Sequence, residues 1–173
     1  NTGDLGGIDY VDAISGIDAM VSQGFADPNR LGVGGYSYGG YLSSWSITQT
    51  TRFKAAVSGG ILADLISFYG TTDIPQYLTI HLGEPPFPEQ SLAWQRSPLK
   101  HAPKVTTPVL FYVGDSDQRT PPGQVHQMHR AVEDAGVTTL KVIYPGEGHG
   151  FVDRNNQLDL MQRMLDWYGR YLA

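Results

Sequence analysis

The chain reads as an α/β protein whose mostly parallel sheet is covered on both faces, a three-layer arrangement. Three observations predict it. Four short runs, "LGVGG" (31–35), "FKAAVSGG" (53–60), "PVLFYVG" (108–114) and "TLKVIYPG" (139–146), have the length of strands rather than of helices. Helical periodicity fills much of the sequence between them, and a strand–helix–strand order calls for right-handed crossovers between parallel strands. The runs are apolar nearly throughout instead of alternating, as expected where neither face of a sheet meets water.

Taken in order, Ile8, Val11, Ile14, Ile17, Met20 and Val21 recur at helical spacing, and Gly24 offers a stop. "ADPNR" (26–30) is a turn punctuated by Asp-Pro and Asn. The 31–35 strand follows, then a helix from about Tyr38 to Thr48, then the 53–60 strand closed by glycines. From Ile61 to about Lys104 the pattern is irregular and rich in Pro and aromatics, with short helices expected near 74–82 and 89–96. The 108–114 run is the clearest strand. A helix over 122–135, with Val125, Met128, His129 and Val132, stops at Gly136. The 139–146 strand leads into a terminal helix over 153–172, through Leu158, Met161, Met164, Leu165, Trp167, Tyr168 and Leu172. No repeat or low-complexity segment interrupts this order, and 173 residues suffice for one core, so residues 1–173 are read as a single domain.

Composition excludes several classes of function. With 17 acidic against 12 basic residues and no basic run, the net charge is −5, which speaks against nucleic acid and anionic membrane surfaces as partners. No apolar stretch approaches the roughly 18 residues that cross a bilayer, and no signal-peptide pattern is present. Cysteine is absent, so disulfides, thiolate metal sites and thiol nucleophiles are ruled out, which fits a cytoplasmic setting. The opening "NTGDLGG" reads as the interior of something longer, so a fragment or processed chain is expected.

Chemistry is signalled first by "GVGGYSYGGYLSSW" (32–45), where Ser37 has Gly35 two residues before it and Gly39 two after. A nucleophile at the carboxyl end of a parallel strand needs a sharp strand-to-helix turn. Residues two away on each side then crowd neighbouring backbone, so glycine is expected at both, and the Ser itself sits in a strained conformation. The turn lifts the hydroxyl above a helix amino terminus, where the Tyr38 N–H is the expected donor to a developing oxyanion. A dinucleotide-binding reading competes, since Gly32 and Gly34 fit the first two positions of G-x-G-x-x-G. Ser37 occupies the third, however, and Arg52 and Lys54 stand where a ribose-binding carboxylate belongs.

An activated Ser needs an imidazole, and the imidazole needs a carboxylate to hold its tautomer. In the α/β-hydrolase order, Ser is followed by Asp or Glu and then His. His149, in "PGEGHGF", lies on a glycine-rich loop just past the fourth strand. His81 and His101 precede any suitable Asp, and His126 and His129 lie on a helix without an evident third metal ligand. After the clearest strand, "VGDSDQRTPP" offers Asp115 and Asp117. Asp117 is preferred because it has left the strand for the loop, whereas Asp115 suits a brace for the turn.

"GGYSYGGYL", "PVLFYVGDSDQRTPPGQ" and "YPGEGHGF", with "DPNRLGV" and "SPLKHAPKVTTPVL", resemble the catalytic domain of the prolyl oligopeptidase family of serine peptidases, especially its acylaminoacyl-peptidase and dipeptidyl-peptidase-like branch. The resemblance spans essentially the whole chain. It implies an α/β-hydrolase fold, Ser37 as nucleophile, Asp117 as orienting acid, His149 as general base, and neither cofactor nor metal. The family pattern also carries an upstream stretch with a second oxyanion donor, and often a propeller; neither is found. Only four of about eight strands are present, so this is expected to be the C-terminal portion of the domain. The 31–35 strand then exposes an edge that is expected to pair with the missing part or to self-associate.

Peptide or acylated amino acid substrates follow from the resemblance; a carboxylesterase on small esters, or a non-catalytic fragment without a complete oxyanion hole, are the alternatives. Tyr38, Tyr41, Trp45, Ile61, Phe68 and Tyr69 are candidates for an apolar substrate pocket, with Tyr41 and Trp45 better suited to the core. Arg119 could bind a substrate carbonyl or pair with a carboxylate. Glu133 and Asp134 read as a solvated helix face.

Overall fold

The computed structural model describes residues 2–87 and 91–173. Helix α1 (Ile8–Ser22) is opened by Asp4, whose carboxylate accepts from the Ile8 N–H, and is followed by a left-handed Gly24. Ile14, Ile17 and Val21 turn inward, but Ile8, Val11 and Met20, on the same predicted stripe, are about half exposed. In the next turn the Asp27 carboxylate accepts from the Asn29 N–H, as the Asp-Pro-Asn signal implies.

Strand β1 (Gly32–Tyr36) runs into helix α2 (Tyr38–Gln49), which returns to strand β2 (Ala55–Gly59). The irregular stretch holds short helices α3 (Leu65–Thr71), α4 (Gln76–Leu82), α5 (Leu92–Gln95) and α6 (Pro98–His101), then a 3₁₀ turn (Ala102–Lys104). Of the helix expected over 89–96, residues 89 and 90 lie outside the described residues. Helices α3 and α6 were not anticipated, although each carries a start signal: Asp64 caps α3 by accepting from the Ile66 and Ser67 N–H groups, and Ser97-Pro98 opens α6. Strand β3 (Val109–Gly114), helix α7 (Pro122–Asp134), strand β4 (Thr139–Tyr144) and helix α8 (Arg154–Leu172) complete the chain.

The strands form one parallel sheet in the order β1-β2-β3-β4, with Tyr36 beside Gly59, Gly59 beside Tyr112 and Gly114 beside Tyr144. The carboxyl ends of β1, β3 and β4 therefore share one rim, and the loops after them open on it. Along β3, Val109, Phe111 and Val113 join one core with α7 residues Val125, Met128 and Val132, while Leu110 and Tyr112 join another with Trp167 of α8. Period two persists inside a fully buried strand because both faces are covered. A third cluster, around Tyr41, Trp45, Phe68 and Leu78, lies under the irregular stretch.

The glycines of β1 serve helix packing. A Cβ on Gly34 would stand 2.4 Å from the Tyr168 hydroxyl, and one on Gly32 would stand 2.9 Å from Leu172 Cδ1. Tyr168 uses that clearance to donate to the Val33 carbonyl at 2.9 Å. Among the described residues β1 pairs on one side only. Leu158, Met161 and Leu165 of α8 face solvent.

Buried phenols give the fold an alkaline limit. Burial pushes the Tyr77 and Tyr112 hydroxyls up to about 12, while an unfolded chain ionises them near 10. The folded state thus holds protons that the unfolded state releases. The stability this supplies is complete below about pH 10 and is lost as the pH climbs towards about 12. Denaturant midpoints measured from pH 9 to 12 should fall across that window, with Tyr77→Phe and Tyr112→Phe each flattening the decline; a midpoint independent of pH there would contradict it.

Candidate active site

Ser37 is the residue directly after β1 and the N-cap of α2. At φ 61° and ψ −121° it is the one non-glycine residue with positive φ among the described residues. Such a conformation costs about 1–3 kcal/mol and persists only where the surroundings enforce it. Here the Ser37 N–H donates to the Gly59 carbonyl at 3.0 Å and its carbonyl accepts from the Tyr41 N–H at 2.9 Å. The turn also needs clearance: a Cβ on Gly35 would lie 2.4 Å from the carbonyl carbon and oxygen of Gly39.

The expectation that Gly39 is itself crowded is corrected. A Cβ there would meet nothing within 4 Å, because that direction is open. The second intolerant position is Gly40, where a Cβ would stand 2.1 Å from the Gly59 carbonyl oxygen as α2 crosses β2.

Asp117 and His149 come to the same rim from the loops after β3 and β4. His149 Nε2 is 2.9 Å from Ser37 Oγ, and His149 Nδ1 is 2.9 Å from Asp117 Oδ2. The Asp117 side chain is fully buried. Its Oδ1 accepts from the Arg119 and Thr120 N–H groups at 2.9 and 2.8 Å, and its Oδ2 accepts from the Thr120 hydroxyl at 2.8 Å and the Tyr36 hydroxyl at 3.2 Å. Buried carboxylates persist when donors surround them this way. Burial first, and then the Asp117 charge, hold the Tyr36 phenol far above its ordinary range, so it stays a donor. The Tyr36 ring also rests against the imidazole, centroids 5.0 Å apart.

Asp115 braces the turn: its Oδ1 accepts from the Gly146 N–H at 2.9 Å, tying the acid-bearing loop to the histidine-bearing one. Tyr38 opens α2 beside Ser37, with its N–H in the first helical turn, and its hydroxyl donates to Asp9. His126 and His129 lie on α7, and among the described residues no group of three His, Asp or Glu could hold a metal ion.

A narrow cavity of about 40 Å³ opens beside Ser37, lined by Tyr38, Leu62, Phe68, Ile74, Tyr77, Arg119 and Thr120. Tyr38, Phe68 and Arg119 are the cavity residues that the sequence also singles out. Ile61 is not at the cavity: it packs in the core beneath α2, and its neighbour Leu62 lines the cavity instead. Tyr69 is turned away towards the Phe87 ring, because consecutive residues on α3 point about 100° apart and Phe68 takes the inward position. Tyr41 and Trp45 are core residues. Arg119 both lines the cavity and pairs with Asp73 through its Nε at 2.6 Å; that hydrogen bond holds the Asp73 carboxyl below its usual range.

Tyr36, Thr120, Leu62, Ile74 and Tyr77 were missed from sequence. Tyr36 and Thr120 are near neighbours of motif residues, but nothing local shows that their hydroxyls turn to Asp117.

A parallel sheet with Ser, Asp and His on loops along its carboxyl rim is the α/β-hydrolase fold. The model of the prolyl oligopeptidase family matches residues 1–173, and the chain belongs to that family. It is 36% identical to the uncharacterized peptidase YuxL of Bacillus subtilis, covering 98% of this chain and 27% of that protein. It is 31% identical to the acylamino-acid-releasing enzyme of Arabidopsis thaliana, covering 98% of this chain and 23% of the relative. A puromycin-hydrolyzing peptidase from Mycobacterium tuberculosis superimposes with a TM-score of 0.93 at 35% identity, over 99% of this chain and 26% of that one. The acylaminoacyl peptidase of Pyrococcus horikoshii gives 0.92 at 26% identity, over 99% and 29%. The chain thus spans about a quarter of the length of these relatives.

The two motif glycines should part company under substitution. Gly35→Ala drives a methyl into backbone and should lower stability by at least about 3 kcal/mol. Gly39→Ala adds a methyl to open space in a helix and should change it by less than about 1 kcal/mol. Thermal unfolding of both variants checks this; equal losses would contradict the crowding at Gly35.

Proposed function

We propose that this chain carries the reaction centre of a serine peptidase acting on peptides or acylated amino acids through an acyl-enzyme. The observation that carries the reading is the unbroken line from Ser37 Oγ through His149 to a buried Asp117, each link 2.9 Å. His149 Nε2 takes the hydroxyl proton as Ser37 Oγ bonds to the substrate carbonyl carbon. Asp117 steadies the imidazolium through Nδ1–H, and the Tyr38 N–H, at the positive end of α2, donates to the oxyanion. The carbon–nitrogen bond then breaks, the leaving amine carries off the proton from Nε2, and water repeats the sequence to free the acid. No step calls for a cofactor or metal.

The cavity walled by Leu62, Phe68, Ile74 and Tyr77 suits an apolar side chain on the acyl side of the scissile bond. Amide-bond chemistry in the names of the relatives supports peptides over simple esters. A carboxylesterase would use the same groups, so relative turnover of an acyl-aminoacyl anilide and a p-nitrophenyl ester separates the two.

We read residues 1–173 as one unit of a catalytic domain. The free side of β1 then takes a further strand from a part of the native protein outside these residues. Support comes from the one-sided pairing of β1, the exposed Leu158, Met161 and Leu165, and coverage of about a quarter of each relative. The acidic balance supports a partner other than nucleic acid, and the lack of cysteine supports a cytoplasmic setting. Among the described residues no helix is long and apolar enough to cross a membrane.

A fluorophosphonate probe should label the protein at Ser37, and Ser37→Ala should abolish labelling and lower kcat/KM by roughly four orders of magnitude or more. A folded sample that resists the probe would favour a non-catalytic role. In size-exclusion chromatography the 173-residue chain alone should run larger than its monomer mass, and an upstream segment supplied with it should restore a defined species; a well-behaved monomer would remove the argument for an unmet strand edge.

A further inference from the structure

Glu147 is a buried carboxylate with no part in the chemistry above: the residue is 1% exposed, two positions before His149. Its Oε2 accepts from the Val152 N–H at 2.8 Å, and its Oε1 accepts from the Asp153 N–H at 3.0 Å and the Asn156 side-chain amide at 2.9 Å. These donors belong to the entry of α8, whose amino terminus favours a negative charge. The same residue is anchored at its backbone, where its carbonyl accepts from the Ser116 N–H at 3.0 Å. That anchor lies one residue from Asp117. β3 makes room for it with Gly114, where a Cβ would stand 2.1 Å from the Glu147 carbonyl oxygen. The Asn156 amide first, with the Val152 N–H next, holds the Glu147 carboxyl below its usual range.

We propose that Glu147 is a positioning residue that closes the His149 loop, pinning residues 148–151 between the Asp117 loop and the start of α8 so that the imidazole stays between Ser37 and Asp117. The inference rests on the reading of His149 as general base. Gly148 and Gly150 flank the imidazole, and a Cβ on either would meet nothing within 4 Å. Within this arc the Phe151 ring packs against Tyr36, Tyr112 and Tyr144 and the His149 ring against Tyr36, but the two glycines leave the backbone between these anchors permissive. The backbone of the arc is fixed by the closure from Glu147 to residues 152 and 153, a short loop whose ends are tied by an acceptor-only group. Glutamine cannot replace it. With one oxygen turned into NH₂, a donor must face the N–H of Val152 or of Asp153.

The test uses the whole protein that carries this chain, with Glu147→Gln and, as a milder cut, Asn156→Ala, which removes one donor and leaves both backbone bonds. Displacing a catalytic group by about 1 Å can cost about a hundredfold. In Glu147→Gln, kcat should fall roughly 10- to 100-fold with KM within about twofold, and Asn156→Ala should fall a few-fold. The low-field proton of His149 Nδ1–H should broaden or vanish in Glu147→Gln, and hydrogen exchange at the Val152 and Asp153 amides should quicken. If Glu147→Gln fails to fold, the Asn156→Ala measurements decide. Variants that keep the parent kcat, low-field proton and exchange rates overturn the role of Glu147. A parent without the low-field proton and indifferent to Ser37→Ala overturns instead the reading on which it rests.

Discussion

The rim of the sheet depends on a single close approach, the backbone of Gly35 lying against the backbone of Gly39. It lets β1 turn into α2 within one residue, and that residue, Ser37, must then take a positive φ. The strain is held by hydrogen bonds from β2 and within α2 rather than by the side chain, which is left to face the imidazole. A wider turn would move the hydroxyl away from the helix terminus and from the loops that follow β3 and β4.

The second dependency is electrostatic. Asp117 is taken wholly out of water, a costly move for an ionised carboxylate unless donors replace the lost solvent. Arg119 and Thr120 supply backbone N–H groups from its own loop, and Tyr36 supplies a hydroxyl from the strand that precedes Ser37. The elbow and the acid are thereby coupled across the sheet, and the imidazole that joins them rests on the coupling ring. Glu147 repeats the arrangement one loop away, as a buried acid met by N–H donors. Among the described residues neither acid forms an ion pair with a lysine or arginine, and the groups that hydrogen-bond them are mainly backbone and side-chain N–H groups and hydroxyls.

Apolar surface is distributed unevenly around this centre. β2 and β3 are buried on both faces, as their continuous apolar runs implied, while among the described residues β1 pairs on one side only and α8 shows Leu158, Met161 and Leu165 to solvent. Helical spacing alone marked these residues as inward-facing. Periodicity reports that a helix has an apolar face, but what lies against it is a matter of tertiary contact. The same limit explains α1, where Ile14 and Ile17 are packed and Ile8 and Val11 are not.

The sequence by itself determined the order of the four strands and of the long helices, which Ser, Asp and His carry the motifs, and, through its resemblance to known catalytic domains, the family and with it the α/β-hydrolase fold. The signals for strands, long helices and motif residues are local: strand length, turn chemistry, and residue types at short spacing. Only the tertiary structure decided that Leu62, Ile74 and Tyr77 line the cavity while Ile61 and Tyr69 do not, since one step along a chain turns a side chain to a different face without changing its character. It also decided that Gly40 rather than Gly39 is the crowded glycine of α2, and that Tyr36, Thr120 and Glu147 turn their polar atoms inward. Those contacts join residues far apart in the chain, and their partners exist only once parallel strands bring their carboxyl ends to a common rim.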